Sequence, residues 1–323
     1  MDSFVEDHLH WRFLTSHDLD DLAMLRHQIQ SFDDTMIPAV ERLVGLQDAE
    51  LDGHCVGGWD NYGSLLAYGW NIVDPDPELA RVIIAGGVHP THRYLSIGAR
   101  LLAWQQDRAL EWRDAERPGQ PLWLGCYVEA VQPGLQLLLE DMGFRDERHF
   151  IDMHRTLDTV PTPRVINGVD IVAFDPSRSE EVHQLHHLCF GADVHHDHWD
   201  RSLHRVRSDW SWVALSGGQV VGYVLSGEDD AAALDGVVEG WTERLGVHPA
   251  HRQRGIGSAL LEHTLASMAA SQCPGAGIGV DTSETSFPEI LHRELGYEHR
   301  DSVQLMSKTL PAAGTSASSE SVS

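Results

Sequence analysis

Apolar residues recur along the chain in two alternating rhythms. A strand candidate over residues 11–14 leads into Thr15-Ser16-His17-Asp18, whose short polar side chains suit a helix start. Leu19, Leu22, Leu25 and Ile29 then fall on one helical face. A second helical stretch covers about residues 37–51, and short strands follow at 55–59, 65–73 and 81–88. Further on, a strand at 169–173 precedes a histidine-rich helix at 180–190 and a polar stretch at 195–207. Apolar runs at 212–215 and 219–225 flank Ser216-Gly217-Gly218, a hairpin signal. A strand at 241–247, an amphipathic helix at 257–270, a strand at 278–281, a helix at 286–295 and final strands to 310 complete the pattern. Strands interleaved with helices predict an α/β fold built on a mixed sheet.

The junction between the strand at 241–247 and the helix at 257–270 carries the most chemistry. Val247-His248-Pro249 is followed by Arg252, Arg254, Gly255 and Gly257. The first amides of a helix lack intrahelical acceptors and sit at the positive end of its dipole, which favours phosphate. Glycine lets an anion approach the backbone, and guanidinium binds phosphate through parallel donors. A nucleotide P-loop would continue with Lys-Ser/Thr, but Ser258-Ala259 follow Gly257 and the chain's one lysine is Lys308. A dinucleotide turn would need a third glycine.

The same stretch occurs twice. Residues 88–102 align without a gap on 247–261, and Met142-Gly143-Phe144 with 153–157 matches Leu295-Gly296-Tyr297 with 306–310. Two correspondences in the same order indicate a duplicated domain, as does the length of 323 residues. The expected division is 1–158 for the first copy and 168–310 for the second, with Pro161, Pro163 and Asn167-Gly168 between them. Residues 311–323, small and polar, are expected to be disordered. The net charge of -26, from 23 basic and 49 acidic residues, argues against nucleic acid or an anionic membrane as partner and would draw in a cationic amine. Four scattered cysteines without a C-x-x-C pair, no apolar run long enough to span a bilayer and no export signal point to a cytoplasmic chain.

Val-His-Pro, Arg252-x-x-Gly255-x-Gly257 and the flanking strand and helix together resemble the coenzyme A pyrophosphate loop of the GNAT superfamily of N-acetyltransferases. The tandem arrangement resembles two-domain GNAT proteins of the mycothiol synthase type, in which the C-terminal copy is catalytic and the N-terminal copy degenerate. The resemblance implies two tandem GNAT domains and acetyl transfer from acetyl-CoA to an amine by direct attack in a ternary complex. It implies that Leu245, Gly246 and Val247 offer backbone groups to the pantetheine arm. Arg252, Gln253, Arg254, Gly255, Ile256, Gly257 and Ser258 would hold the pyrophosphate. Glu243, four residues before Val247 and expected on one strand face with Trp241, Leu245 and Val247, would be the general base. His292, at the family's tyrosine position, would protonate the departing thiolate.

The first copy has Ile84, Leu95, Ser96 and Leu139 opposite Glu243, Arg254, Gly255 and His292, which marks it as the degenerate one. A Cβ at Ser96 is expected to stand in the path of a pyrophosphate. The type resembled carries its glutamate two residues earlier, where this chain has Trp241. His183, His186, His187, His195, His196 and His198 invite a metal reading, but no His-Glu-x-x-His pattern exists and the chemistry implied needs no metal; acceptor contacts or plain surface are expected there. The acceptor stays open between a small metabolite, an antibiotic, a peptide N-terminus and a protein lysine, and nothing in the chain bears on oligomeric state. A non-catalytic acyl-CoA-binding scaffold and a mycothiol synthase-like enzyme are the alternatives.

Overall fold

The computed structural model describes residues 8–33, 51, 53–73, 79–190, 203, 206–229, 238–282 and 287–312. Residues 37–50 of the expected helix at 37–51, most of the polar stretch at 195–207 and residues 313–323 of the tail lie outside these. By contact the chain forms two units, residues 1–148 with 303–323 and residues 149–302.

In the first unit the elements run β1 (His10–Phe13), α1 (Leu19–Asp33), β2 (Cys55–Trp59), β3 (Leu65–Val73), β4 (Arg81–Val88), α2 (Ile97–Glu116), β5 (Leu122–Glu129) and α3 (Pro133–Asp141). Strands β1 to β4 pair antiparallel in chain order, and β4 pairs parallel with β5. Asp18, just before α1, accepts the Thr15 backbone N–H at 2.9 Å and takes the Arg12 guanidinium through both oxygens, which holds its carboxyl down to about 2. Leu22 and Leu25 on α1 and Leu102 and Ala109 on α2 bury against the sheet.

The second unit runs through β6 (Arg145–Thr156), β7 (Asp170–Ala173), α4 (Ser179–Phe190), β8 (Trp212–Ser216), β9 (Gln219–Asp229), β10 (Glu239–Val247), α5 (Ile256–Ala270), β11 (Gly275–Asp281) and α6 (Phe287–Leu295). Its sheet is antiparallel from β7 to β10, and β10 pairs parallel with β11. Helix α5 packs Ile256, Leu260, Leu261, Leu265 and Met268 into the core with Ile278, Leu291 and Tyr297. Truncating one of these fully buried leucines to alanine typically costs about 2–5 kcal/mol.

The expected chain-order division follows the repeat, whereas the packed units follow the sheets. Residues 150–156 of β6 lie antiparallel on β11 in the second unit. The last strand, β12 (Glu298–Leu310), lays residues 303–310 antiparallel on β5 in the first unit, with Met306 buried in that core. Each copy thus lends much of its final strand to the other unit. A repeat in sequence carries no mark of which sheet edge a terminal strand will join, so the exchange was not visible from the alignment.

Candidate functional site

In each unit the parallel pair comes apart. The β10–β11 register runs through Gly240–Ala276, Trp241–Gly277 and Thr242–Ile278 and stops, although both strands continue. The β4–β5 register stops in the same way after Ile83–Gly125. Beyond these points the strands' facing N–H and C=O groups are left for something other than each other.

At this opening β10 carries a β-bulge. Its pairing with β9 steps from Thr242–Ser226 to Arg244–Leu225, so Glu243 is the inserted residue, half-buried with one carboxylate oxygen shielded from solvent. The bulge overturns the expectation that Trp241, Glu243, Leu245 and Val247 share one face. Leu245 and Val247 pack on the core under α5, whereas the Trp241 ring covers Gly277. One extra residue switches the alternation. The β3–β4 pair has no such step, and Ile84 pairs with Asn71 as Thr242 pairs with Ser226. Glu243 therefore has no counterpart in the first unit, rather than being replaced there by Ile84.

The strand leads into the loop rich in glycine and arginine. Gln253 and Gly255 hold positive φ of 60° and 78°, and Gly255 caps α5. The first α5 hydrogen bond runs from Ala259 N–H to Gly255 O, so the amides of Ile256, Gly257 and Ser258 donate to no backbone carbonyl among the described residues. Arg252 donates through Nε to Val247 O at 3.2 Å and through Nη2 to Cys189 O at 3.5 Å. Arg254 donates to Asn167 O at 3.0 Å and lies 3.0 Å from His251 Nδ1.

The underside of the loop comes from the segment read as a boundary. Arg164 binds the buried Glu262 of α5 through its backbone N–H and its guanidinium, at 2.6–2.8 Å, and reaches Glu294 at 3.2 Å. Ser258 Oγ donates to the same Glu294. A Cβ at Gly255 would meet Ile166 and Arg164 at 3.6 and 3.8 Å. It would point into this support and not into the path of a phosphate, so the demand for glycine there is one of φ. Arg164 carries no family pattern, and only its position before Asn167-Gly168 could have drawn attention to it.

His292 is exposed on α6, and its Nδ1 donates to Tyr297 O at 2.8 Å, which leaves Nε2 as the atom able to exchange a proton. Its expected equivalent Leu139 is fully buried. The helices close differently: Phe144 N–H reaches back five residues to Leu139 O, whereas Tyr297 N–H reaches six to Leu291 O. That extra residue turns Leu291 inward and His292 outward. Tyr297 itself is sealed in the core against Thr242, and burial pushes its phenol up.

On the α4 side, His186 is buried and bridges Tyr223 and Arg244. The rings of His183 and His187 lie 4.4 Å apart. His195, His196 and His198 fall outside the described residues, among which no group of three metal-ligating side chains gathers. No helix among the described residues is long and apolar enough to cross a membrane.

The first unit repeats the loop's backbone: Tyr94 and Ser96 hold φ of 64° and 63°, matching Gln253 and Gly255. Its arginine is spoken for, since Arg93 binds both Asp33 oxygens at 2.6 and 2.7 Å. Between its parted strands lies a cavity of about 720 Å³ lined by Arg26, Asp33, Ile84, Arg93, Ser96 and Glu129, among others.

Residues 207–299 match the family model for the acetyltransferase (GNAT) domain. The chain is 27% identical over 234 residues to a mycothiol acetyltransferase of a Nocardioides species, covering 66% of this chain and 76% of that one. A GCN5-related N-acetyltransferase from Sphaerobacter thermophilus shares the fold at a TM-score of 0.79 and 22% identity, over 95% of this chain and 97% of the other. A tandem GNAT protein from the clavulanic acid biosynthesis pathway aligns at a TM-score of 0.65 and 16% identity, over 95% and 99%.

Proposed function

From the premise that this chain is a GNAT-superfamily protein with the tandem GNAT fold, we propose that its second unit transfers an acetyl group from acetyl-CoA to a primary amine. The observation that carries the reading is the bulge that sets Glu243 where β10 and β11 part.

The loop fits coenzyme A. The amides of Ile256, Gly257 and Ser258, with Arg252, Gln253, Arg254 and Gly255, offer the donors a pyrophosphate needs. The β10 groups of Leu245 to Val247 border the gap a pantetheine arm would enter. When bound, acetyl-CoA supplies the activated acyl thioester.

An acceptor amine is protonated at neutral pH and becomes a nucleophile on losing that proton. Glu243, at the mouth of the gap, takes it directly or through a water. His292 delivers a proton to the departing sulfur from Nε2, while its Nδ1–H stays on the Tyr297 carbonyl. The likeness to mycothiol acetyltransferase raises a second reading, that the acceptor is the amine precursor of mycothiol; Trp241, standing where that type carries its glutamate, weighs against it.

Turnover of labelled acetyl-CoA against a panel of small amines, the mycothiol precursor, peptides and lysine-bearing proteins tests the proposal. Acetylated product from any one class supports it and names the acceptor. Coenzyme binding with no product across the panel would leave the scaffold alternative.

A further inference from the structure

Between α4 and β10 lies a chain of three polar groups whose direction is set by chemistry. Arg244 Nη1 is 3.4 Å from His186 Nε2, and His186 Nδ1 is 2.5 Å from the Tyr223 hydroxyl. A guanidinium only donates and stays charged, so Nε2 must offer its lone pair, and Nδ1 then carries the hydrogen and donates to Tyr223. Burial first, and then the facing charge of Arg244, push the imidazole down to about 3, so it stays neutral as this arrangement requires. The far end is locked as well, since a Cβ at Gly246 would lie 2.5 Å from the Tyr223 ring.

This device has a place relative to the chemistry. Arg244 directly follows the bulge residue Glu243. Val247 is three residues further on, so at about 3.3 Å per residue the strand puts roughly 10 Å between Arg244 and the start of the anion-binding loop. Its backbone thus lies beside Glu243 and away from the loop, with the guanidinium turned to His186 on α4.

The other copy keeps the charge by other means. Tyr68 stands opposite Gly87 as Tyr223 stands opposite Gly246. Arg26 on α1, seven residues after Leu19, takes the place His186 holds on α4, seven after Ser179, and Ala85 takes that of Arg244. Both Arg26 and Tyr68 line that unit's cavity. Both units thus hold an arginine and a buried tyrosine on these elements, the arginine carried by a strand in one and by a helix in the other.

We propose that Arg244, aimed by His186 and Tyr223, binds a carboxylate on the acyl acceptor, which is therefore an α-amino acid or a similar zwitterion. The inference rests on the acetyltransferase reading of the second unit. A zwitterion also suits the protein's charge of -26, which would repel a simple anion but leaves a molecule of zero net charge free to enter. Its ammonium then faces Glu243 while its carboxylate is held by Arg244. His186 is a positioning residue that sets where the guanidinium points.

The test pairs each of a set of amino acids with its carboxamide, which keeps the amine and removes the anion, and measures kcat/KM with labelled acetyl-CoA. Acids should be preferred by at least about tenfold, the scale of one hydrogen bond to a charged group. Arg244→Gln should collapse that ratio through the acceptor KM. His186→Leu should lower it, and His186→Gln, whose amide oxygen can accept from Arg244, should restore it. Coenzyme affinity, measured by calorimetry, reports that each variant is folded. Equal use of acids and amides by the parent, or an unchanged ratio in Arg244→Gln, overturns the inference and leaves the acetyltransferase reading intact. Turnover of neither series, with neutral amines still acetylated, also overturns it. If no amine is acetylated, the acetyltransferase reading falls and this inference with it.

Discussion

The two loops that join strand to helix, 88–97 and 247–256, have nearly the same backbone and different chemistry. Both pass through positive φ at matching positions, and both follow a parallel pair that parts. Yet in one the arginine is held by Asp33, Leu95 stands for Arg254, and the strand before it runs without a bulge. The shape is kept by sheet pairing and helix packing, which tolerate exchange at the surface. Chemistry depends on a few side chains and one inserted residue, and these can be lost while the shape persists. Ser96 keeps a conformation natural to glycine, which typically costs an L-residue about 1–2 kcal/mol, and the fold bears this.

The contrast can be broken most sharply at Glu243. Glu243→Gln keeps size and hydrogen bonding but cannot accept a proton at neutral pH, and the expected loss is about a hundredfold or more in kcat with little change in coenzyme affinity. Steady-state kinetics over pH 6–9 with calorimetry of acetyl-CoA binding checks it; near-normal turnover would remove Glu243 from the mechanism. Next in size is a transplant of the first unit's loop: Arg254→Leu with Gly255→Ser should weaken acetyl-CoA binding by about tenfold or more. Because a Cβ at Gly255 points toward Ile166 and Arg164, most of that loss should appear in Arg254→Leu alone, and calorimetry on the single variants would separate the two.

His292 sharpens the comparison at the leaving group. A side chain that protonates the departing sulfur can be replaced by another proton donor but not by an apolar group. His292→Tyr should therefore retain turnover, and His292→Leu should lower it severalfold at saturating coenzyme. Equal turnover in parent and leucine variant would assign the proton to solvent. The smallest expected effect is on stability. His186 is held neutral far below its unfolded pKa of about 6.5, so the unfolded chain binds the extra proton first. The stability this contributes is complete above pH 6.5 and is lost as pH falls toward about 3. Arg244, His183 and His187, facing the ring, add to the penalty on its charged form. His186→Gln should flatten this acid limb in denaturant titrations of the whole protein, and an unchanged limb would argue for another group.

The architecture and the loop were legible because they rest on periodicity and on glycine and arginine at fixed spacing. The helix start at Thr15 and the strand-to-helix turn at Gly255 follow from residue type and spacing. What sequence could not disclose depends on contacts distant in the chain. The bulge at Glu243 arises where β10 has one residue more than β9 can match, and a gapless alignment with residues 81–88 conceals it. Arg164 supports the loop through Glu262, 98 residues away. The outward turn of His292 depends on which carbonyl Tyr297 chooses. His186 and Tyr223 show their pairing only once helix and sheet are packed.

The exchanged final strands bear on the order of events at the ribosome. The sheet of the first unit needs residues 303–310, yet its previous residues end at Arg148, so 310 − 148 = 162 further residues must be made before that strand exists. At about 5–20 residues per second the nascent first unit waits roughly 8–30 s with the edge of β5 bare and the Met306 position unfilled. An unpaired edge invites other chains. The cell therefore meets a half-built sheet during every round of synthesis, and neither copy can be shed by truncation without leaving its sister short of a strand.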